Sequence, residues 1–281
     1  MMSRRTWLIT GVSSGFGYEM TRLLLEKGEK VIGTVRNKDK VRQLIEQYPD
    51  HFICEFLDVT DVPAIRRLID NSYKKLGRID VIVSNAGYGL FGAAEELTDE
   101  QVEHIIATNL TGSIQLIRSA LPHLRNQGGG RIIQLSSYGG QVAFPGNSMY
   151  HATKFGIEGF CESVAQEAAS FNIGITLVEP GGARTEFRYG SAQVAKLMPE
   201  YDGNPAHGFL GMLDPSNGLA PGDPVRMAER IIESVDQEPA PMRMILGSQA
   251  LKVTLSTLKT RVEELEGQAA LAASTDFPPG E

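Results

Sequence analysis

A glycine-rich turn between a strand-like segment and a helix-like segment is the feature that most constrains the fold of this chain. Residues 6–10 are apolar or β-branched, the turn runs from Gly11 to Gly17, and residues 18–27 have helical periodicity that stops at Gly28. Such a turn lets the backbone approach a pyrophosphate, and it points the unpaired N–H groups of the helix N-terminus at the anion. The spacing G-x-x-x-G-x-G differs from the commoner G-x-G-x-x-G pattern. We therefore predict a phosphate-binding turn, with an ordinary tight turn as the alternative.

The same alternation of strand and helix continues along the chain. Further strand-like segments occupy residues 30–35, 52–57, 79–84, 131–135, 173–178 and 242–246, and helix-like segments separate most of them. This order is typical of βαβ units, so we expect an α/β fold with a parallel sheet of about seven strands flanked by helices. Residues 186–223 break the pattern with Pro, Gly and aromatic residues, which favours a substrate-binding loop or lid. Residues 249–281 should form a final helix and a surface tail.

Charge and cysteine content exclude several functional classes. The net charge is −7 over 281 residues, which argues against general affinity for nucleic acid or anionic membranes. Cys54 and Cys161 lack metal-ligand spacing and lie in apolar runs, which favours reduced thiols and a reducing compartment. The N-terminal apolar run is too short for a signal peptide or a membrane span, so we expect a cytoplasmic protein. No two histidines have ligand spacing on a recognisable helix face, and no metal site is expected.

Two cations follow the second strand-like segment. In dinucleotide-binding folds the end of this strand meets the adenosine ribose, where a carboxylate accepts from the 2′-OH and an Arg accommodates a 2′-phosphate. Val35 supplies no carboxylate, whereas Arg36 and Lys38 supply positive charge. This pattern favours NADP(H) over NAD(H) as the cofactor. The alternative is that both side chains are solvated loop charges.

Tyr150 and Lys154 are the strongest candidates for chemistry. They are four residues apart, so on a helix they share one face. A neighbouring cation favours the phenolate and would lower the phenol pKa toward a value useful for acid–base catalysis. His151 adjoins Tyr150 but should point away around the helix. A surface helix with a solvated Lys is the alternative.

Polar residues also stand at the ends of other strand-like segments. Asp58 follows the third, and the run Asn85 to Gly87 follows the fourth. The carboxyl ends of parallel strands face the ligand in open α/β sheets, although Asp, Asn and Gly are also ordinary turn residues. Asn109 lies among apolar residues of a long helical pattern that starts near Thr98, and indicates either a bent helix with a bound water or a polar site.

These motifs, taken together, resemble the short-chain dehydrogenase/reductase family in order and spacing. The matching residues are Thr10-Gly11-x-x-x-Gly15-x-Gly17, Asn85-Ala86-Gly87, Asn109, Ser137, Tyr150-x-x-x-Lys154 and Pro180-Gly181. The resemblance covers residues 6 to about 250. It implies a single doubly wound Rossmann-type catalytic domain spanning residues 1–281. Ser84 and Ala183 depart from the family pattern, where a second Asn and a Val or Ile are common.

The resemblance also implies roles for individual residues. Tyr150 would exchange the proton with the substrate oxygen and Ser137 would hydrogen-bond that oxygen, with Ser136 as the neighbouring candidate. Lys154 would bind the nicotinamide ribose and lower the Tyr150 pKa, and Asn109 would hold a water that links Lys154 to solvent. The remaining cofactor-binding residues would be Gly11, Ser13, Ser14, Gly15, Phe16, Gly17, Arg36, Asp58, Val59, Asn85, Ala86, Gly87, Pro180, Gly181 and Thr185.

The implied activity is hydride transfer between NADP(H) and a carbonyl compound or secondary alcohol. Apolar residues, among them Phe144, Phe187 and Tyr189, suggest a mainly apolar small-molecule substrate. Two alternatives remain open: a dinucleotide-binding sensor without catalysis, and an epimerase or dehydratase that retains the Tyr-Lys pair. The family is commonly dimeric or tetrameric, so a homodimer or homotetramer is expected.

Overall fold

The computed structural model describes residues 4–277 and contains a parallel sheet of seven strands. The strands of this sheet are β1 (Thr6–Thr10), β2 (Lys30–Val35), β3 (Phe52–Phe56), β4 (Val81–Ser84), β6 (Gly130–Leu135), β7 (Ile173–Pro180) and β9 (Arg243–Leu246). A separate pair joins β5 (Leu90–Phe91) to β8 (Gln193–Val194). The order across the large sheet is β3-β2-β1-β4-β6-β7-β9, and the predicted α/β architecture is confirmed.

Helices cover both faces of the sheet. The helices in the described residues are α1 (Gly15–Glu26), α2 (Arg42–Gln47), α3 (Val62–Leu76), α4 (Asp99–Ile106), α5 (Gly112–Asn126), α6 (Ser148–Ala168), α7 (Glu186–Tyr189), α8 (Pro205–Leu210), α9 (Pro224–Glu233), α10 (Ser248–Glu266) and α11 (Ala269–Ala273). One core packs α1 and α9 against the sheet, through residues such as Met20, Leu24 and Ile231. The other packs α3, α5 and α6 against the opposite face, through residues such as Ile65, Leu116 and Ile157. The chain is therefore wound in both directions around the sheet, as a doubly wound fold requires.

Capping residues place the helix starts close to where the sequence predicts them. Asp61 accepts a hydrogen bond from the backbone N–H of Ala64 at 2.9 Å, at the start of α3. Thr98 accepts from the N–H of Gln101 at the start of α4. Pro224 occupies the first turn of α9, where a missing N–H is harmless. The Asp61 and Thr98 caps each pair a backbone N–H group that has no partner within the helix.

Three expected elements differ in detail. The helix α1 begins at Gly15, inside the glycine-rich turn, so the turn and the helix N-terminus are one unit. The long helix expected from Thr98 is two helices, α4 and α5, joined by a π-helical turn over Ala107–Thr111 that contains Asn109. The expected tail contains the short helix α11, and the end of that tail, residues 278–281, lies outside the described residues.

The strand order reverses between β1 and β4. From β1 the chain proceeds outward to β2 and β3, then returns to build β4, β6, β7 and β9 on the other side. Ligands of open α/β sheets bind at such a reversal, beyond the carboxyl ends of the strands. Within residues 4–277 no helix is both long and apolar enough to cross a membrane.

Candidate active site

The glycine-rich turn lies at the carboxyl end of β1 and is shaped by close backbone contacts. Gly11 and Gly15 have φ values of 73° and 56°, in the left-handed region that glycine tolerates best. A Cβ at Gly17 would lie 2.4 Å from the carbonyl oxygen of Gly11, so a side chain there would force the turn open. Ser14 precedes α1 in an extended conformation and makes no side-chain cap, which leaves the first N–H groups of the helix available to an anion.

Asn85 ties the turn to the end of β4. Its side-chain Nδ2 donates to the carbonyl oxygens of Thr10 at 2.8 Å and Gly11 at 3.0 Å. The Thr10 hydroxyl in turn accepts from the backbone N–H groups of Asn85 and Ala86. The two strands on either side of the reversal are therefore joined where a dinucleotide would cross the sheet.

The end of the cleft expected to hold the adenosine is lined by Arg36, Lys40, Asp58 and Val59. Two hydrogen bonds from Thr60 to the Asp58 carboxylate, aided by the charge of Arg36, lower the pKa of that carboxyl despite its partial burial. Lys38, the second cation of the sequence prediction, is absent from the cleft lining. A 3₁₀ turn over Lys38–Val41 presents Lys40 instead, a geometry that strand and helix periodicity does not reveal.

Ser137, Tyr150 and Lys154 converge deeper in the cleft, and all three are buried. Ser137 follows β6, whereas Tyr150 and Lys154 lie on consecutive turns of α6. The Lys154 ammonium donates to the carbonyl oxygen of Leu135 at 2.9 Å and lies 5.5 Å from the Tyr150 ring centroid. The Ser137 hydroxyl is close enough to the Tyr150 phenol to lower the pKa of the phenol. The structure thus brings together the three residues that the sequence singles out.

The Tyr150 phenol is more strongly protonated than the sequence predicts. Burial raises its pKa to about 12, and the Ser137 hydrogen bond only partly opposes this rise. Burial also lowers the pKa of Lys154 to about 8, while the charge of Glu158 opposes that change. The predicted lowering of the Tyr150 pKa is therefore not found in this structure, because desolvation raises the pKa more than the Ser137 hydroxyl lowers it.

The register of the two adjacent serines is also resolved. The Ser136 hydroxyl donates to Glu158 Oε1 at 2.5 Å, away from Tyr150. Ser137 Oγ accepts from the backbone N–H of Gly139 at 3.0 Å and belongs to the group around the phenol. Ser137 therefore has the position expected of the substrate-binding hydroxyl, whereas the Ser136 hydroxyl is held by Glu158.

Most of the predicted site residues line one continuous cleft of about 630 Å³. They are Gly11, Ser13, Ser14, Gly15, Phe16, Arg36, Asp58, Val59, Asn85, Ala86, Gly87, Ser137, Phe144, Tyr150, Lys154, Pro180, Gly181, Thr185 and Phe187. The residues Gly17, Asn109 and Tyr189 do not line it. Gly17 contributes to the shape of the turn instead, because its lack of a side chain allows the close approach to the Gly11 carbonyl.

Asn109 and Tyr189 have other partners. The Asn109 amide accepts from the backbone N–H of Tyr88 at 3.0 Å and donates to the Tyr88 carbonyl at 2.8 Å. It therefore holds the loop after β4, because a buried amide in a π-helical turn requires such partners. The Tyr189 hydroxyl accepts from the backbone N–H of Ala220 at 2.9 Å, inside the segment 186–223. Its expected contact with substrate is replaced by one that holds this segment together.

An aromatic group covers the end of the cleft near Tyr150. The Phe144 and Phe209 rings stack with centroids 5.5 Å apart, and Phe187 lies 5.7 Å from the Tyr150 ring. Met212 and Tyr138 also line this end of the cleft. The sequence predicts a substrate-binding loop or lid over residues 186–223 but does not single out Phe209 and Met212, because irregular segments have no periodicity that tells which side chains face inward.

His151 is buried against the loop that carries Ser137, contrary to the expectation that it points away. Its Nε2 accepts from the backbone N–H of Phe144 at 3.0 Å, and Nδ1 lies 2.8 Å from the Gly139 carbonyl oxygen. This pattern assigns the proton to Nδ1. Burial lowers the pKa of the imidazole, so the ring is neutral and holds the loop in place.

Comparison with known proteins agrees with this geometry. The family model for short chain dehydrogenase matches residues 5–194. The oxidoreductase BOA17 of Botryotinia fuckeliana is 33% identical over 249 residues, which cover 88% of this chain and 90% of that protein. The 3-ketodihydrosphingosine reductase of Bacteroides thetaiotaomicron is 38% identical over 184 residues, 64% of each protein.

Solved structures show the same relationship. A short-chain dehydrogenase from Streptomyces avermitilis superposes with a TM-score of 0.91 at 34% identity, over 98% of this chain and all of that one. ElxO, solved with NADP bound, has a TM-score of 0.71 at 27% identity and is matched by 89% of this chain over its full length. On the family match, the fold and the shared sequence, this chain belongs to the short-chain dehydrogenase family of nucleotide-binding oxidoreductases.

Proposed function

We propose that the protein is an NADP(H)-dependent oxidoreductase that interconverts an apolar carbonyl compound and the corresponding secondary alcohol. The observation that carries the proposal is the meeting of Ser137, Tyr150 and Lys154 at one end of a cleft that starts at the glycine-rich turn. A single cleft of this kind can hold a dinucleotide along its length and a substrate oxygen beside the phenol.

The chain's own residues would act on the substrate oxygen. Reduction of a carbonyl develops negative charge on oxygen, and the Ser137 hydroxyl can donate a hydrogen bond to it. Tyr150, which burial keeps protonated, can deliver the proton that completes the alcohol. Lys154 would bind ribose hydroxyls and offset the negative charge left on the phenol. In the oxidation direction the phenolate form of Tyr150 would accept the proton from the alcohol instead.

The proposed cofactor is NADP(H), which when bound supplies or accepts the hydride. The fit of the cleft supports it, because the turn from Gly11 to Gly15 and the uncapped N-terminus of α1 suit a pyrophosphate. Arg36 and Lys40 line the end where a 2′-phosphate would lie. The NADP bound to ElxO, a relative of the same fold, is further support.

The substrate is proposed to be mainly apolar. Phe144, Phe187, Phe209 and Met212 face the cleft near Tyr150, and three of them are aromatic. Residues 186–223 would act as the lid of this end of the cleft. The name of the related 3-ketodihydrosphingosine reductase, which acts on a ketone, points in the same direction.

The test is a titration of the purified protein with NADPH and NADH, followed by nicotinamide fluorescence. Cofactor oxidation is then measured by absorbance with a panel of apolar and anionic aldehydes, ketones and quinones. Tight NADPH binding and turnover of apolar carbonyls that is lost in Tyr150→Phe would support the proposal. Turnover confined to highly anionic carbonyls would overturn the substrate class.

Two other activities are distinguished by the same measurements. Tight cofactor binding without turnover of any carbonyl would indicate a dinucleotide-binding sensor. A product in the same redox state as its substrate would indicate an epimerase or dehydratase. The presence of all three residues, Ser137, Tyr150 and Lys154, favours the redox enzyme over the sensor.

A homodimer or homotetramer is part of the proposal, and α10 offers a surface for it. The side chains of Leu251, Leu255, Leu258, Val262 and Leu265 are exposed, and their spacing of four and three residues is a heptad stripe. In a parallel pairing with a second copy, Arg261 and the partner's Glu266 would be oppositely charged neighbours across the seam. This complementarity favours a second copy of the chain as the occupant.

A cytoplasmic location is also proposed. Cys54 and Cys161 are both free, which suits a reducing compartment. Fractionation of cells that express a tagged chain checks the location, and recovery of the chain from a membrane or secreted fraction would contradict it.

A further inference from the structure

A buried ionic cluster lies behind the loop that carries Ser137, and the proposed reaction leaves it without a role. Glu158 and Glu179 are both almost fully buried, at 2% and 0% exposure. Arg243 Nη1 contacts Glu158 Oε2 at 2.6 Å and Glu179 Oε1 at 2.5 Å. Glu162 binds the same guanidinium at 2.7 Å, but its side chain is half exposed. Burying two carboxylates is costly unless both are paired and hydrogen-bonded, as they are here.

The two buried carboxylates hold opposite ends of the loop 136–141. Ser136 donates its hydroxyl hydrogen to Glu158 at 2.5 Å, at the start of the loop. Gln141 donates its side-chain N–H to Glu179 at the other end. Because Arg243 links the two carboxylates, the loop is held from both ends by one cluster. Between these two ends, the loop places Ser137 in the lining of the cleft.

Gly140 shows how closely the cluster approaches this loop. A Cβ at position 140 would lie 1.9 Å from Glu158 Oε1, so the carboxylate occupies the space of a side chain. The loop can therefore adopt this position only with glycine at 140. The neighbouring Gly139 carbonyl is fixed from the other side by His151.

The cluster also affects the protonation of Lys154, which lies beside Tyr150 in the cleft. Glu158 lies one helical turn after Lys154 on α6, and its charge raises the Lys154 pKa against the effect of burial. The buried carboxylates of Glu158 and Glu179 are then balanced by Arg243 and Lys154. The titratable groups that face Glu158 are Tyr150, Lys154, Cys161 and Glu162 on α6, Glu179 on β7 and Arg243 on β9.

We propose that Glu158 is a positioning residue that fixes the Ser137 loop through Ser136 and places a buried carboxylate one helical turn from Lys154. The proposal rests on the proposed reaction of Ser137, Tyr150 and Lys154. The Glu158 side chain has two separable effects. Its hydrogen bond to Ser136 fixes the position of the loop, and its negative charge affects the protonation of Lys154. Different variants remove each effect.

The experiment uses three variants of the full chain. Glu158→Gln removes the charge and retains an oxygen that can accept from Ser136. Ser136→Ala removes the hydrogen bond and retains the charge. Glu162→Gln is the matched control, because it removes a carboxylate from the same helix and the same guanidinium without touching the loop. The titration of Lys154 is followed by NMR of protein with ¹³C-labelled lysine, and the signal is assigned with Lys154→Arg.

The expected results differ between the variants. In Glu158→Gln the midpoint for Lys154 moves to lower pH by roughly one unit, whereas Glu162→Gln leaves it unchanged. In Ser136→Ala the midpoint is unchanged and kcat for the carbonyl turned over by the wild-type protein falls about tenfold. Thermal unfolding of each variant verifies that it is folded at the temperature of the measurement.

Two results would overturn the proposal. One is a Lys154 midpoint in Glu158→Gln that equals that of the wild-type protein or of Glu162→Gln. The other is full kcat in a folded Ser136→Ala variant. The NMR titration needs no turnover, so it tests the role of Glu158 even where no carbonyl substrate is consumed. Absence of turnover in the wild-type protein would reject the proposed activity alone.

Discussion

The buried Lys154 ammonium gives the cleft a pH dependence that can be measured. Burial lowers the pKa of Lys154 to about 8, so this group loses its proton as the pH rises through that value. On the proposed role of Lys154, the loss removes a charged hydrogen-bond donor to the ribose hydroxyls. We expect the Kd for NADPH to increase about tenfold as the pH rises through the midpoint. Fluorescence titrations on either side of it measure the change.

The control for this dependence is Lys154→Met, which cannot titrate. Its affinity for NADPH should be weak and nearly constant over the same pH range. A wild-type affinity that falls on acidification instead would contradict the assignment, because Lys154 is fully protonated below its pKa. The affinity for NADPH should decrease with rising pH because only the charged form of Lys154 is expected to bind the cofactor well.

Arg36 is predicted to decide between the two nicotinamide cofactors. It lines the cleft where the 2′-phosphate of NADP(H) would lie. Arg36→Asp would place a carboxylate there, which repels the phosphate and can accept from a ribose 2′-OH. We expect NADPH binding to weaken at least about tenfold more than NADH binding, as a lost charged hydrogen bond requires.

The measurement is a pair of fluorescence titrations with NADPH and NADH on wild-type protein and variant. Lys38→Asp is the matched control, because Lys38 is close in sequence but does not line the cleft. Equal losses of affinity for both cofactors in Arg36→Asp would refute the cofactor assignment.

At the scale of elements, the segment 186–223 is attached to the body of the protein by Glu96. This carboxylate accepts from the backbone N–H of Met198 at 2.7 Å and contacts His207 Nε2 at 2.7 Å. It also accepts from the N–H of Ala93 at 2.6 Å. Burial alone would raise the pKa of Glu96, but these hydrogen bonds outweigh it and the net pKa is lowered.

The lowered pKa of Glu96 has a defined consequence for the segment 186–223. The contribution of ionised Glu96 is present above the pKa of the carboxyl in the unfolded chain and is lost as the pH falls through the lower native value. We expect Glu96→Gln to increase the rate of limited proteolysis within residues 186–223 several-fold at neutral pH. Loss of charge-assisted hydrogen bonds would loosen the attachment of this segment.

Glu200→Gln is the control for this variant, since Glu200 is an exposed carboxylate on the same segment. It should be cleaved at the wild-type rate. Equal cleavage rates in Glu96→Gln and wild-type protein would show that Glu96 does not stabilise the attachment of residues 186–223.

At the scale of the whole molecule, the exposed stripe on α10 predicts self-association. Leu258 lies at the middle of the stripe, so Leu258→Glu would place a charge at the centre of the proposed seam. We expect the variant to shift to a smaller species in sedimentation velocity at the concentration where the wild-type protein is oligomeric. Burial of an unpaired carboxylate between two apolar stripes is unfavourable.

Thr260→Glu provides the matched control, because Thr260 lies on the same helix outside the stripe. It should retain the wild-type oligomeric state. An oligomer that is unaffected by Leu258→Glu would place the subunit contact elsewhere, and the exposed face of α6 would be the next surface to test.

The sequence by itself determined the elements of this protein. Apolar and β-branched runs located the strands and helical periodicity located most helices, since both patterns follow from local structure and burial. Helical spacing singled out Tyr150 and Lys154 as candidates, because residues four apart share one face of a helix, and the family resemblance added Ser137.

Only the tertiary structure decided the environment of those residues. Burial raises the Tyr150 pKa and lowers that of Lys154, and desolvation depends on segments far away in sequence. The partners of Asn109 and the linkage of Glu158, Glu179 and Arg243 bring together separate elements, so no local pattern predicts them. A 3₁₀ turn brings Lys40 rather than Lys38 to the cleft, and the irregular path of residues 186–223 turns Phe209 and Met212 toward it. Long-range packing determined these features because each involves side chains that meet only after the chain has folded.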